Sequence, residues 1–345
     1  MPRAQPPDKR LNIEVLPGLE PFAQHELSAM FGVADVVQLR PGELECRFTG
    51  KLSELRRLRT VVAVYLKACY DVPRPKGLLG DEHARKLKRQ LLTVLDSGDD
   101  GAFKDFRFSA AGQDSPVFER LANLIAETTG LNHNPEAGAL LMRVRKRSSG
   151  QGWEVLARLT PKPLSARAWR VCNVPGGLNA TVAVAMLMLC RTREDDRVLN
   201  AMCGSGTLLI ERWLSGPAAR LLGVDQSAEA LSCADENIRA SGADGIELIE
   251  ADATDLVPLK ERFNLIVADL PWGDAVGAHH ENRLLYPEFL AEMARLASQG
   301  ARMAVLTHDI KVFAASLAGQ RQWTLQETRQ VFHGGHHPRI YLLRL

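Results

Sequence analysis

The sequence predicts an α/β protein in which two small α+β units precede a doubly wound sheet of seven strands. Three features carry that expectation. Pro161-Lys-Pro163 divides the 345 residues into two stretches of different pattern. Beyond it, apolar runs of strand length alternate with helical ones, and the last two runs have the character of an antiparallel pair. Hydrophobic residues at 46% and charged residues at 24% exclude a largely disordered or fibrous chain.

In the front half, Leu11–Leu16 alternates apolar and polar residues as a strand does, and Pro17-Gly18 turns the chain. Phe22, Ala23, Leu27, Met30 and Phe31 then recur at helical spacing until Gly32. A strand follows around Glu43–Thr49, a short helix from residue 53, a β-rich run over Val61–Tyr70 and an amphipathic helix over Asp81–Leu95. Phe106–Ala110 reads as a strand, Ser115–Thr129 as a capped helix, and Leu140–Val144 with Glu154–Leu159 as a hairpin. After the linker, strands are expected at Arg197–Asn200, Leu221–Asp225, Ile246–Glu250, Leu265–Ala268, Ala301–Leu306, Trp323–Thr328 and Ile340–Leu345. The helices between them fall near Ala180–Cys190, Leu208–Leu214, Ala228–Ser241 and Pro287–Ala297.

The net charge of +2 hides an asymmetry: residues 1–170 hold 27 Lys and Arg against 20 Asp and Glu, and residues 171–345 hold 16 against 21. A basic module joined to an acidic one suits a nucleic-acid platform beside a catalytic domain, and also an ordinary solvated surface. No apolar run is long enough for a membrane helix and MPRAQPPDKR lacks the apolar block of a secretory signal, so a cytoplasmic protein is expected. The six cysteines (46, 69, 172, 190, 203 and 233) form no CxxC pair and read as reduced thiols. His333-Gly-Gly-His336-His337 lacks supporting ligands, and no metal is expected.

Leu199-Asn-Ala-Met-Cys-Gly-Ser-Gly-Thr207 closes a strand and opens a helix, with Gly204 and Gly206 allowing the backbone near a ligand. Asp225, followed by Gln226, ends the next strand, where a carboxylate can accept from both hydroxyls of a ribose; Asp252, followed by Ala253, ends the third and can accept from an adenine amine. NAD suits those two acids nearly as well. A dinucleotide site, however, adds a third glycine to seat a pyrophosphate, and Leu209 stands there, so the expected cofactor is S-adenosylmethionine. Asn200, Met202, Cys203, Gly204, Ser205 and Gly206 are its candidate contacts, with Asn179 and Thr181 from the preceding helix start. Cys203 reads as a small packing residue.

Asp269-Leu270-Pro271-Trp272 follows the fourth strand, at the carboxyl edge where doubly wound sheets hold ligands. Methylating an exocyclic amine requires two acceptors for its N–H groups, and the Asp269 carboxylate and Leu270 carbonyl supply them. Pro271 stiffens the turn and Trp272 offers a face on which an extruded base can stack. With no cysteine beside Asp269, thiolate-dependent methylation of a ring carbon is not expected. His279-His280-Glu-Asn-Arg283 follows on a loop open to substrate or solvent.

The glycine loop resembles motif I of RNA guanine methyltransferases, with Asn200 in place of the usual Asp, and the tetrad resembles the (D/N)PP(Y/F/W) signature of amino-methyltransferases, with Leu270 in place of the first proline. Residues from Ser53 to Leu159, with Phe106-Arg-Phe-Ser and Ser115-Pro-Val-Phe-Glu-Arg, look like a THUMP domain, and Leu16-Pro-Gly-Leu-Glu resembles the ferredoxin-like segment preceding it. The chain is thus similar to THUMP-containing tRNA guanine-N2 methyltransferases. The resemblance implies a ferredoxin-like segment over 1–52, a THUMP domain over 53–163 and a Rossmann-like methyltransferase domain over 164–345. It also implies a monomer that grips tRNA and methylates guanine N2 near position 6 of the acceptor stem. Arg143, Arg145, Lys146 and Arg147, the densest basic cluster, are candidate phosphate contacts or a solvated hairpin. The tetrad leaves an rRNA guanine or a DNA adenine open as targets, and a decayed RNA-binding scaffold is the non-enzyme alternative.

Overall fold

The computed structural model describes residues 9–148, 150–272, 279–332 and 334–345; the Pro-rich start and His333 of the sequence reading lie outside them. The chain forms two compact units, one taking in the first strand and Ala23–Ser165, the other Leu16–Phe22 and Ala166–Leu345.

The first unit is built on one sheet of eight strands: β1 (Lys9–Glu14), β2 (Val37–Arg40), β3 (Glu43–Phe48), β4 (Ala63–Tyr70), β5 (Asp105–Ser109), β6 (Asn132–His133), β7 (Leu140–Lys146) and β8 (Trp153–Arg158). Their order is β2-β3-β1-β4-β8-β7-β5-β6. Helices α1 (Glu20–Phe31), α2 (Asp81–Asp96) and α3 (Pro116–Thr129) accompany it. Because β1 pairs with β3 on one side and with β4 on the other, the segments divided at residue 52 in the sequence reading share one sheet and one core. An unpaired edge on β1 would leave its backbone groups without partners; β4 provides them.

One face of this sheet carries a charged ladder. Arg145 donates to Glu154 at 2.7 Å and to Glu43, which also accepts from Asn12 at 2.6 Å. Lys67 pairs with Glu154 and with Glu45 at 2.6 Å each, and Arg143 reaches Glu14 at 2.9 Å while lying over the Tyr65 ring. Burial pushes the Glu43 carboxyl up, but Arg145, Asn12 and Arg40 together hold it at about 2. It therefore contributes stability above its ordinary value of 4.5 that is lost as pH falls toward 2. Arg145→Ala leaves Glu154, 0% exposed, short of a partner, and chemical denaturation is expected to show a loss of about 3 kcal/mol.

The second unit contains α4 (Ala180–Cys190), β9 (Arg197–Ala201), α5 (Thr207–Trp213), β10 (Arg220–Asp225), α6 (Ala228–Ser241), β11 (Ile246–Glu250), β12 (Phe263–Asp269), α7 (His279–Leu296), β13 (Ala297–Thr307), α8 (Ile310–Ala318), β14 (Thr324–Gln330) and β15 (Arg339–Arg344). The sheet order is β11-β10-β9-β12-β13-β15-β14, parallel from β11 to β13 and antiparallel at β15 and β14. The chain moves from β9 outward to β10 and β11, then returns to the other side of β9 as β12. Such a reversal opens a crevice at the carboxyl ends of the two central strands.

Helix α7 begins eight residues before the expected start at Pro287, a residue that favours a first helical turn but here lies inside the helix. Helix α8, short and flanked by polar residues, was not expected. The Leu16–Phe22 segment packs on the second unit: Phe332 N–H donates to the Pro17 carbonyl at 2.9 Å, and Leu19 and Phe22 join its core.

Candidate active site

A cavity of about 460 Å³ occupies this crevice. Met202, Cys203, Gly204, Ser205, Asp225, Gln226, Asp252, Ala253, Asp269, Leu270, Pro271 and Trp272, all named from the sequence, line it. Each arrives from the carboxyl end of a strand. The loop after β9 supplies the glycine turn, β10 ends in Asp225, the segment after β11 carries Asp252, and β12 ends in Asp269.

The glycine turn is shaped by backbone geometry. Met202 is a non-glycine residue in the left-handed region at φ 56°, and Gly206 at φ 79° caps α5. On β10, Gly223 is required by close approach: a Cβ there would come within 2.6 Å of Leu209 Cδ1 and 3.1 Å of Cys203 Sγ. Cys203 is 7% exposed and burial pushes its thiol up, which makes it a packing residue.

Asp225 accepts from Gly204 N–H at 2.8 Å and from Ser227 N–H at 3.0 Å, which fixes its carboxylate beside the turn. Asp252 is exposed and accepts from the Thr254 backbone N–H at 2.8 Å and its hydroxyl at 2.7 Å. Burial pushes the Asp269 carboxyl up to about 7, the Trp272 indole N–H partly offsetting this with a 3.2 Å bond. The ionised form is the hydrogen-bond acceptor. If the tetrad holds an amine, kcat/KM should therefore fall about tenfold per pH unit below about 7 and level off above, and Asp269→Asn should flatten that limb.

Four residues named from the sequence point elsewhere. Asn200 is 1% exposed on β9; its amide donates to Val267 O on β12 at 3.1 Å, and its Oδ1 is buried without a partner. Gly206 is outside the cavity lining, and a Cβ there would meet Ala234 at 3.3 Å. Asn179 caps α4 by accepting from the Thr181 N–H at 2.9 Å and hydroxyl at 2.8 Å, and Thr181 is wholly buried.

Of the basic cluster, Arg143 and Arg145 belong to the sheet ladder and Arg147 pairs with Asp71 at 2.9 Å, whereas Lys146 is exposed. The three arginines lie at alternate positions and each is matched by an acid, so the run does not make one free basic surface.

Val174–Leu178, Thr207, Leu208, Leu285, Gly334 and His336 also line the cavity. His336 lies edge-on to Trp272, with ring centroids 5.8 Å apart, and 4.8 Å from His308. The segment just before the 174–178 wall is held by Asn237 of α6. Its side chain accepts from the Val171 and Cys172 N–H groups at 2.9 and 3.0 Å and donates to the Cys172 and Ser205 carbonyls at 3.0 and 3.1 Å. Nothing local in the sequence marks these partners. Cys172 and Cys233 form a disulfide across the same junction, correcting the reading of all six cysteines as thiols: 61 residues separate them, and only folding brings their Cα atoms to 5.4 Å. Among the described residues no group of three or more His, Cys, Asp and Glu side chains is placed to hold a metal, and no helix is long and apolar enough to cross a membrane.

Residues 167–339 match the family described as RMKL-like, methyltransferase domain, which takes in the whole crevice and its strands. The chain belongs to that family. Curated relatives are similar over about half of the chain. A tRNA (guanine(6)-N2)-methyltransferase of Methanocaldococcus jannaschii is 28% identical over 53% of this chain and 58% of its own length. The Bos taurus tRNA (guanine(6)-N(2))-methyltransferase THUMP3 is 32% identical over 49% of this chain and 36% of its own. The chain thus spans less than two thirds of either relative. Among solved structures, TrmN from Thermus thermophilus superposes with a TM-score of 0.77 at 25% identity, covering 97% of this chain and 99% of that one.

Proposed function

We propose that the protein is an S-adenosylmethionine-dependent methyltransferase acting on the exocyclic N2 amine of guanine in tRNA, near position 6 of the acceptor stem. The observation that carries this reading is the placement of Asp269 and the Leu270 carbonyl in one cavity with the Asp225 and Asp252 carboxylates. The relatives' tRNA guanine-N2 activity supports the choice of amine and nucleic acid.

The cavity fits the cofactor by shape and donor set. The glycine turn lines it, with Leu209 where a dinucleotide site has its third glycine, and the Asp225 and Asp252 carboxylates line it where ribose hydroxyls and an adenine amine can donate. S-adenosylmethionine, when bound, supplies a sulfonium methyl group. The protein's part is orientation. Asp269 and the Leu270 carbonyl accept the two amine N–H bonds, which withdraws the nitrogen lone pair from the ring and aims it along one line. Trp272 and His336 offer aromatic faces for an extruded guanine. The nitrogen becomes cationic on methylation and strongly acidic, and Asp269, poised near 7, can take the departing proton.

We further propose that the first unit acts as a THUMP-like tRNA grip. Its exposed cations on α2, namely Arg85, Lys88 and Arg89, suit phosphate contact better than the paired Arg143 and Arg145. The test is transfer of labelled methyl to unmodified bulk tRNA and, in parallel, rRNA, followed by nucleoside analysis. N2-methylguanosine in tRNA is the expected product. Label confined to rRNA would overturn the substrate, and no label with no cofactor binding would overturn the enzyme.

A further inference from the structure

Against the tetrad, and outside the cavity lining, three wholly buried polar residues meet the Pro271 carbonyl or its neighbours: Asn282 and Tyr286 on α7 and Thr307 at the end of β13. The Tyr286 hydroxyl lies 2.6 Å from Pro271 O and 2.9 Å from Thr307 Oγ1, and Asp309 N–H donates to Thr307 Oγ1 at 3.0 Å. Asn282 Nδ2 reaches both Pro271 O, at 3.3 Å, and the Asp309 carboxylate, at 3.2 Å.

Proton counting fixes the direction of these bonds. Burial, reinforced by the Asp309 and Asp269 charges, pushes the Tyr286 hydroxyl up, so it keeps its single proton. A carbonyl cannot donate, so that proton goes to Pro271 O, and Thr307 must then donate to Tyr286. The result is a one-way chain: Asp309 N–H to Thr307, Thr307 to Tyr286, Tyr286 to the Pro271 carbonyl. Bonds in such a chain polarise one another. With Asn282 added, both lone pairs of Pro271 O are engaged. On the strand side, the Leu270 N–H donates to Leu306 O at 3.0 Å, a bond that a proline at this position could not make and one that the adjoining Pro271 clamp helps to hold closed.

We propose that Tyr286, Thr307 and Asn282 are positioning residues of the amine-methylating tetrad. Tyr286 and Asn282 bond to the Pro271 carbonyl and Thr307 orients Tyr286; together they leave the Leu270 carbonyl as the tetrad's backbone acceptor and supply the rigidity lost where leucine replaces the first proline. None of the three lines the cavity, so they act through the backbone rather than on substrate. This inference rests on the methyltransferase reading above.

The test compares Tyr286→Phe, Thr307→Val and Thr307→Ser in the full chain, by single-turnover methyl transfer to unmodified tRNA, by affinity for S-adenosylhomocysteine, and by amide exchange at Leu270 and Trp272. Tyr286→Phe should slow transfer about tenfold and speed Leu270 exchange by a similar factor, with affinity within about twofold. Thr307→Val, which keeps shape and loses only the hydroxyl, should slow transfer about threefold, while Thr307→Ser, which restores the donor, should match the native rate within about twofold. Native transfer and native Leu270 exchange in Tyr286→Phe would overturn the proposal. So would loss of rate, affinity and melting temperature together with Thr307→Val unaffected, since that is the pattern of a merely structural role. If the native protein itself labels no RNA, the functional reading fails, and the exchange comparison alone then decides for or against the clamp.

Discussion

Replacing Asp269 by alanine is expected to lower methyl transfer by about a thousandfold while leaving the affinity for S-adenosylhomocysteine within about twofold. The carboxylate is the only side-chain acceptor in the tetrad, and its loss leaves the amine lone pair conjugated with the ring and free to rotate away from the line of transfer. The effect belongs to the chemical step because Asp269 lies at the end of β12, whereas the carboxylates assigned to the cofactor lie at the ends of β10 and β11. Asp269→Asn separates geometry from charge. The amide still presents one acceptor oxygen, so activity should survive in part, without the acid limb near pH 7 that burial of the carboxyl creates. A single-turnover rate within tenfold of native in Asp269→Ala would remove the residue from the chemistry.

Asp225→Ala is expected to raise the dissociation constant for S-adenosylhomocysteine by about 30- to 100-fold, measured by calorimetry. Two hydrogen bonds to a charged acceptor contribute on the order of 2–3 kcal/mol together. The same carboxylate fixes the glycine turn through Gly204 N–H, so its removal also loosens the loop that faces the cofactor. Asp225→Asn, which keeps one acceptor oxygen, should cost less. An affinity within threefold of native in the alanine variant would contradict the assignment of this acid to the ribose.

The sequence was most informative where local chemistry sets the outcome. Helix α6 starts at a serine cap and stops at Gly242, and both ends are visible in the residue types. The acids at strand ends were legible because a doubly wound sheet places every such end at one edge. Orientation was less legible. Asn200 stands in the right motif but on a strand, where alternation turns it into the sheet against Val267, and Asn179 and Thr181 are consumed in capping α4. The strand-borne arginines of the basic run are drawn into the ladder by acids as far as 129 residues away. Asn237, Tyr286 and the Cys172–Cys233 pair were invisible for the same reason: each depends on partners brought together only by the fold.

The most direct measurement of the central assignment uses two acceptor-stem tRNAs that differ by one group, guanosine or inosine at the methylated position, with labelled S-adenosylmethionine. Inosine keeps the ring, the stacking surface and the sugar, and lacks only the exocyclic amine. The assignment predicts N2-methylguanosine with the first RNA and no label at that position with the second. Equal labelling of both RNAs would place the methyl on another atom and contradict the role given to Asp269 and Leu270.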